Sequence, residues 1–421
     1  MVSRRRVIRA VCNTKILQDP ETVRTFSLHV ASGLYSSKIA PCAKHFPGHG
    51  DTDTDSHLSL PVIHKDLASM QSTELAPFTA LVRERVPSIM TAHIALPSII
   101  GDDTPASLSR KVTTDVLRGD IGFKGVIVTD CLEMEAVAAT YGTERAALMA
   151  LQAGADIAMI CHTYSRQVGA IKMVYEAFEA GTITLERLVD STERIREFKD
   201  AFTGTWDEVT GGALDNERLA ALLQANAKLS FDVYAASTSW IIPDRKFSPI
   251  SSQASVIVFV PQVQSINPAV DDPDMVQPTG NAARKQSTLE GYRAFVAAVS
   301  SRAKKCEHFV YNAEDAQLQL QDDVLHALSA SDKVIFVTRN ADHASWQLSC
   351  LRKLISTVSS PDRIVLVASC GPYDLSCAAG KGIDLACLCT FEFTKPAMES
   401  AAKVIFGEAE AVGHVPVKVD Y

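Results

Sequence analysis

Short apolar runs, each followed by a stretch with apolar residues spaced three and four apart, recur along the chain and limit its fold more than any other feature. In the first half the runs lie at 39–43, 88–94, 126–129 and 155–160, and helical spacing covers 19–35, 67–85, 143–153, 164–180 and 184–202. A further helix is expected to start at Ala106. In the second half the runs lie at 254–261, 333–338, 363–369 and 385–390, with helices near 288–299, 314–328 and 345–358. A helix between successive strands returns the chain to the same end of the sheet, so the strands come out parallel. The fold class is therefore α/β, in pieces expected at 1–203, at 204–252 (a linker with one helix over 216–233) and at 253–421.

A length of 421 residues accommodates two cores, and 47% hydrophobic with 21% charged residues is the balance of a globular protein. The formal charge of −8 argues against a polyanion-binding face, so no nucleic-acid partner is expected. Ten cysteines sit mostly in or beside apolar runs, without C-x-x-C pairs or paired metal-ligand spacings. Reduced thiols, no metal and a cytoplasmic location are the expectation. No apolar run is long enough to span a bilayer, and no apolar stretch follows the basic start Met1–Arg9 as a secretory signal would require. A short Arg-rich targeting peptide is the alternative reading of that start.

Chemistry concentrates between Lys44 and His57, read KHFPGHGDTDTDSH, expected as a polar loop after the first strand. In extended backbone Asp55 and His57 point to one side, so the carboxylate can orient the imidazole as an acid that returns as a base. A solvated loop is the competing reading of an isolated D-x-H. Asp130, ending the run Val126-Ile-Val-Thr, is either a helix cap or a site group. His93, near the end of the 88–94 strand, is either a packed core histidine or a functional one.

The string Lys44-His45-Phe46-Pro47-Gly48-His49-Gly50, four residues, then Asp55-Ser56-His57, resembles the K-H-[FI]-P-G-H-G-x4-D-[ST]-H signature of family 3 glycoside hydrolases, β-N-acetylglucosaminidase branch. The segment FKGVIVTDCLEM, containing Asp130, resembles that family's nucleophile segment, and the two motifs stand in the family's order. The resemblance implies a (β/α)8 TIM-type barrel followed by a smaller open α/β sandwich. It implies removal of terminal β-linked N-acetylglucosamine by a retaining route, without metal or organic cofactor. Asp130 would be the nucleophile, His57 the acid/base and Asp55 its partner. Lys44 and His45 would hold sugar hydroxyls; His93 is nominated beside them as a substrate-binding group by its strand-end position alone.

The chain departs from the family pattern near its start. Four barrel strands can be counted in 1–202 where eight close a barrel, and the family's sugar-contacting Arg has no counterpart around Thr14-Lys15-Ile16. An incomplete barrel is thus expected, its edges covered by a partner or a second copy. A non-catalytic N-acetylglucosamine sensor, or a degenerate member, is the alternative function.

Overall fold

The computed structural model describes residues 19–52, 59–207, 216–241, 247–262, 290–317, 319–342, 344–374, 385–417 and 419. They fall into two units, Met1–Ala213 and Leu214–Tyr421.

Unit 1 opens with α1 (Pro20–Ser36), capped by the Asp19 carboxylate, which accepts from the Thr22 N–H at 2.7 Å. Proline at the first helical position has no N–H to waste. The chain then turns through Lys38, and Ile39 donates back to Leu34 O, so the first residues of the expected strand are spent on ending the helix. The strand proper, β1 (Cys42–Phe46), lies further on and takes in Lys44 and His45, which were expected in a loop. Its position is set by pairing with β2 (Ser88–Thr91), through Cys42 with Ser88 and Ala43 with Ile89, and by the buried ring of Phe46 packed edge-on to Phe78 at 5.3 Å.

β3 (Val126–Thr129) continues the parallel sheet in the order β1-β2-β3. The helix expected over 67–85 is two, α2 (Leu67–Ser72) and α3 (Leu75–Arg83), broken where Glu74 turns its carboxylate onto Lys65. After a short α4 (Pro97–Ile100) comes a wide, π-type helix at Lys111–Asp120, then α5 (Glu135–Tyr141) and α6 (Thr143–Ala153) beyond β3. Gly154 ends α6 at φ +115°, and a Cβ there would stand 2.3 Å from the Thr114 hydroxyl, so both conformation and space require glycine. The unit closes with α7 (Tyr164–Glu179) and α8 (Leu185–Phe202), the latter capped by Thr184 as its sequence indicates.

The expected strand at 155–160 is present only as a bridge between Val128 and Ile157. The reason is Asp156. Its carboxylate takes the Ile127 N–H at 2.9 Å, a donor that a regular ladder would give to a backbone carbonyl. The same carboxylate, fully buried, accepts from Arg118 Nη2 at 2.6 Å, Arg194 Nε at 3.0 Å and Ser191 Oγ at 2.7 Å, with Arg187 Nη1 at 3.8 Å. Burial pulls the Arg118 and Arg187 guanidinium pKa values below their usual range, with Asp156 opposing that shift in both. Unit 1 is thus α/β, a wall of a TIM-type barrel that is incomplete among the described residues. Phe26 and Val30 on α1, and Ile171 and Tyr175 on α7, are apolar and exposed.

Unit 2 begins with α9 (Asn216–Ser237) and the two-residue β4 (Ser239–Trp240). Its six-stranded sheet runs β4-β9-β8-β7-β5-β6, with β5 (Ser255–Pro261), β6 (Lys305–Tyr311), β7 (Lys333–Thr338), β8 (Ile364–Ala368) and β9 (Ala386–Cys389) parallel, and β4 antiparallel to β9. Helices α10 (Glu290–Ser300), α11 (Asp322–Ala330), α12 (Trp346–Thr357) and α13 (Lys395–Ile405) complete it, with apolar clusters on both faces of the sheet. This is an open α/β sandwich. β6, Lys-Cys-Glu-His-Phe-Val-Tyr, is an edge strand whose polar residues conceal it in the sequence. The helix expected from 314 starts only at Asp322, because Asn312 Oδ1 accepts from the Glu314 N–H and holds 313–317 in turns.

Replacing Asp156 by Ala should leave Arg118, Arg187 and Arg194 facing a void. A loss of about 3–5 kcal/mol is expected, the usual cost of removing one partner from a buried charge cluster, read as a lower urea midpoint for the full chain. An unchanged midpoint would mean that the cluster carries no weight.

Candidate active site

The parallel order β1-β2-β3 brings the carboxyl ends of three strands side by side, where βα architectures present their reactive groups. From the end of β1 come Lys44, exposed, and His45, half-buried. From the end of β3 comes Asp130, whose N–H donates to Thr91 O of β2 at 2.9 Å. Its Oδ1 accepts from the Cys131 N–H at 2.8 Å, and its Oδ2 stands 3.5 Å from His45 Nε2. The two motifs, far apart in sequence, meet at that contact.

Burial pushes the His45 pKa down to about 4, against the opposing pull of Asp130, and Lys44, His49 and His93 add to the downward push. The ring is therefore neutral at pH 7. At 3.5 Å the contact with Asp130 is a long polar one and not a closed ion pair.

His93, two residues beyond β2, is 1% exposed. Its Nδ1 is 2.8 Å from Ser107 Oγ and its Nε2 is 3.0 Å from Cys131 O. Since a carbonyl only accepts, Nε2 carries the proton, and the ring braces the residue that follows Asp130.

The loop leaving β1 is held at several points. The Lys44–His45 and Phe46–Pro47 peptide bonds are cis. Gly48 sits at φ +125°, and a Cβ there would fall 2.6 Å from Glu74 Cβ, so the break between α2 and α3 and this glycine fit one another. His49 Nδ1 is 2.8 Å from Thr52 Oγ1, and Lys65 ties Asp51, at 3.0 Å, to Glu74. Asp55 and His57 lie outside the described residues.

Sequence spacing missed a further group. Among the described residues, Cys131, Glu133 and His162 bring one sulfur, one oxygen and one nitrogen within 4.8 Å of one another. Glu133 also accepts from the N–H groups of His162 and Thr163, at 2.6 and 3.0 Å, and so holds the segment that leads into α7. The only sequence signal was a pair of short two-donor segments, Cys131-x-Glu133 and Cys161-His162, thirty residues apart.

Residues 15–198 match the Glycosyl hydrolase family 3 N terminal domain. A beta-hexosaminidase of Neisseria meningitidis serogroup C is 38% identical over 150 residues, covering 36% of this chain and 41% of that protein. One of Bordetella avium is 35% identical over 156 residues, covering 37% and 44%. The chain spans about two fifths of the length of these curated relatives. Among solved structures, a fungal multi-domain family 3 beta-N-acetylglucosaminidase with a GCN5-related glucosamine N-acetyltransferase region aligns with a TM-score of 0.80 at 31% identity, over 97% of this chain and 46% of that one. The family 3 beta-N-acetylglucosaminidase of Paenibacillus sp. strain FPU-7 aligns with a TM-score of 0.76 at 25% identity, over 94% and 70%.

The low pKa of His45 has a thermodynamic consequence. Between the ordinary value of 6.5 and about 4, the unfolded chain binds a proton that the folded chain does not, so stability falls as pH drops through that window and this contribution levels off below it. The loss from this one ring should be on the order of 2 kcal/mol, allowing for its partial exposure. His45→Gln should therefore lose less stability than the parent between pH 7 and pH 4.5, measured by urea unfolding; equal losses would remove the assignment.

Proposed function

We propose that this chain, whose residues 15–198 match the Glycosyl hydrolase family 3 N terminal domain, is a retaining glycoside hydrolase that removes terminal β-linked N-acetylglucosamine. Support comes from the sequence relatives, beta-hexosaminidases, and from a structural neighbour of the same fold that is a beta-N-acetylglucosaminidase. One observation of geometry carries the reading: the Asp130 carboxylate, at the end of β3, faces His45 from the signature strand at 3.5 Å.

In this mechanism Asp130 attacks the anomeric carbon through Oδ2, while Oδ1 stays fixed by the Cys131 N–H. His57, oriented by Asp55, gives its proton to the departing glycosidic oxygen. Water then cleaves the glycosyl-aspartate as His57 takes a proton back, and configuration is retained after two inversions. Neutral His45 does not form an ion pair with the nucleophile and, with Lys44, hydrogen-bonds sugar hydroxyls. His93 is assigned to positioning, since both ring nitrogens meet protein partners and the ring has almost no exposed surface.

The test is turnover of a chromogenic β-N-acetylglucosaminide by the full chain. Asp130→Ala should abolish it, and His57→Ala should lower kcat by roughly 10²–10⁴-fold. Saturable binding of N-acetylglucosamine by the parent without turnover would replace the hydrolase with a sensor. Turnover that survives Asp130→Ala would refute the nucleophile.

A further inference from the structure

The loop that follows Asp130 and the loop that precedes α7 meet through side chains for which the hydrolytic reading has no use. Cys131 Sγ lies 3.9 Å from Glu133 Oε2, and the two side chains share a 4.8 Å neighbourhood with a ring nitrogen of His162. We propose that Cys131, Glu133 and His162 form a binding site for a thiophilic divalent cation of the zinc class.

Around tetrahedral zinc, bonds of about 2.3 Å to sulfur and about 2.0 Å to nitrogen or oxygen place ligand atoms roughly 3.5 Å apart. The cluster therefore needs to contract by about 1 Å, a movement within the reach of side-chain rotation. Its composition, sulfur with imidazole and one carboxylate, suits zinc over magnesium or calcium, which prefer all-oxygen shells. Glu133 keeps capacity for a metal after its two backbone bonds, because a carboxylate offers about four acceptor positions. Those backbone bonds orient it, as outer partners orient metal-bound carboxylates elsewhere. Arg166 stands 3.8 Å from the same carboxylate with its side chain 44% exposed, so it can withdraw into water when a cation arrives. His162 and Cys161 are exposed, which gives the ion a way in.

Such an ion would tie the 131–133 segment to 161–163. Cys131 is also the residue whose N–H holds Asp130 Oδ1 and whose carbonyl meets His93, so the cation would brace the backbone beside Asp130 without touching a sugar.

The site is tested by binding, independently of turnover. The reduced full chain is stripped with a chelator and titrated with Zn²⁺ alone, and in parallel with Co²⁺. The expected result is uptake of one ion per chain, with a thiolate-to-cobalt absorption band for Co²⁺. Cys131→Ser and His162→Ala should each weaken binding by roughly 10–100-fold or more, while Cys306→Ser in unit 2 leaves it unchanged. His162→Ala alters an exposed side chain and should keep the parent's thermal midpoint in chelator, so it decides the matter if Cys131→Ser does not fold. Asp130→Asn should bind Zn²⁺ like the parent, which separates this site from the proposed nucleophile. No stoichiometric uptake, a cobalt complex lacking the sulfur band, or full affinity in His162→Ala would overturn the proposal.

Discussion

Unit 1 depends on a charge that cannot reach water. Asp156 sits at the junction of β3, the π-type helix and α8, and its two oxygens receive a backbone N–H, a serine hydroxyl and two guanidinium groups, with a third guanidinium close by. A buried carboxylate is tolerated only when its lone pairs are filled, and here they are filled from three different elements. That requirement fixes the position of α8 along the sheet and substitutes a side-chain bond for part of the ladder beyond β3. Where β3 ends is where Asp130 begins, so the placement of the Asp130 carboxylate is inherited from a cluster that does not include it.

The site itself is organised by the division of labour between two oxygens of one aspartate. One is occupied by the following amide, and the other is turned toward a histidine that burial keeps unprotonated. A charged histidine at the same place would compete with an electrophile for the carboxylate; a neutral one can donate a hydrogen bond without cancelling its charge. His93 is braced between Ser107 and the Cys131 carbonyl, so a ring helps to fix the backbone turn after Asp130.

How far the sequence discloses this varies with the kind of interaction. β5, β7, β8 and β9 are legible because both faces of a central parallel strand are apolar, whereas β6 and β4 at the edges carry mixed residues and give no signal. Asp130 and His45 can be nominated from their motifs. That Lys44 and His45 belong to the strand, however, follows from the register of Cys42 with Ser88, which no local pattern encodes. The break at Glu74 is likewise invisible in a stretch whose spacing is helical throughout, because its causes, Lys65 and Gly48, come from elsewhere in the fold. The Cys131, Glu133 and His162 group escapes for the same reason: its donors are adjacent only after α5 and α6 have folded back.

The partners in the His45–Asp130 contact do not come from neighbouring strands. β2 runs between them, and alternate strands in a sheet are separated by roughly 10 Å, two spacings of about 4.8 Å. Both side chains must lean inward over Thr91 and Ala92, so a strand with no charged group of its own acts as the gauge of the cleft. An error in either pairing, β1 on β2 or β2 on β3, shifts one bank relative to the other. For this reason the quietest segment, Ser-Ile-Met-Thr, has the least freedom to drift.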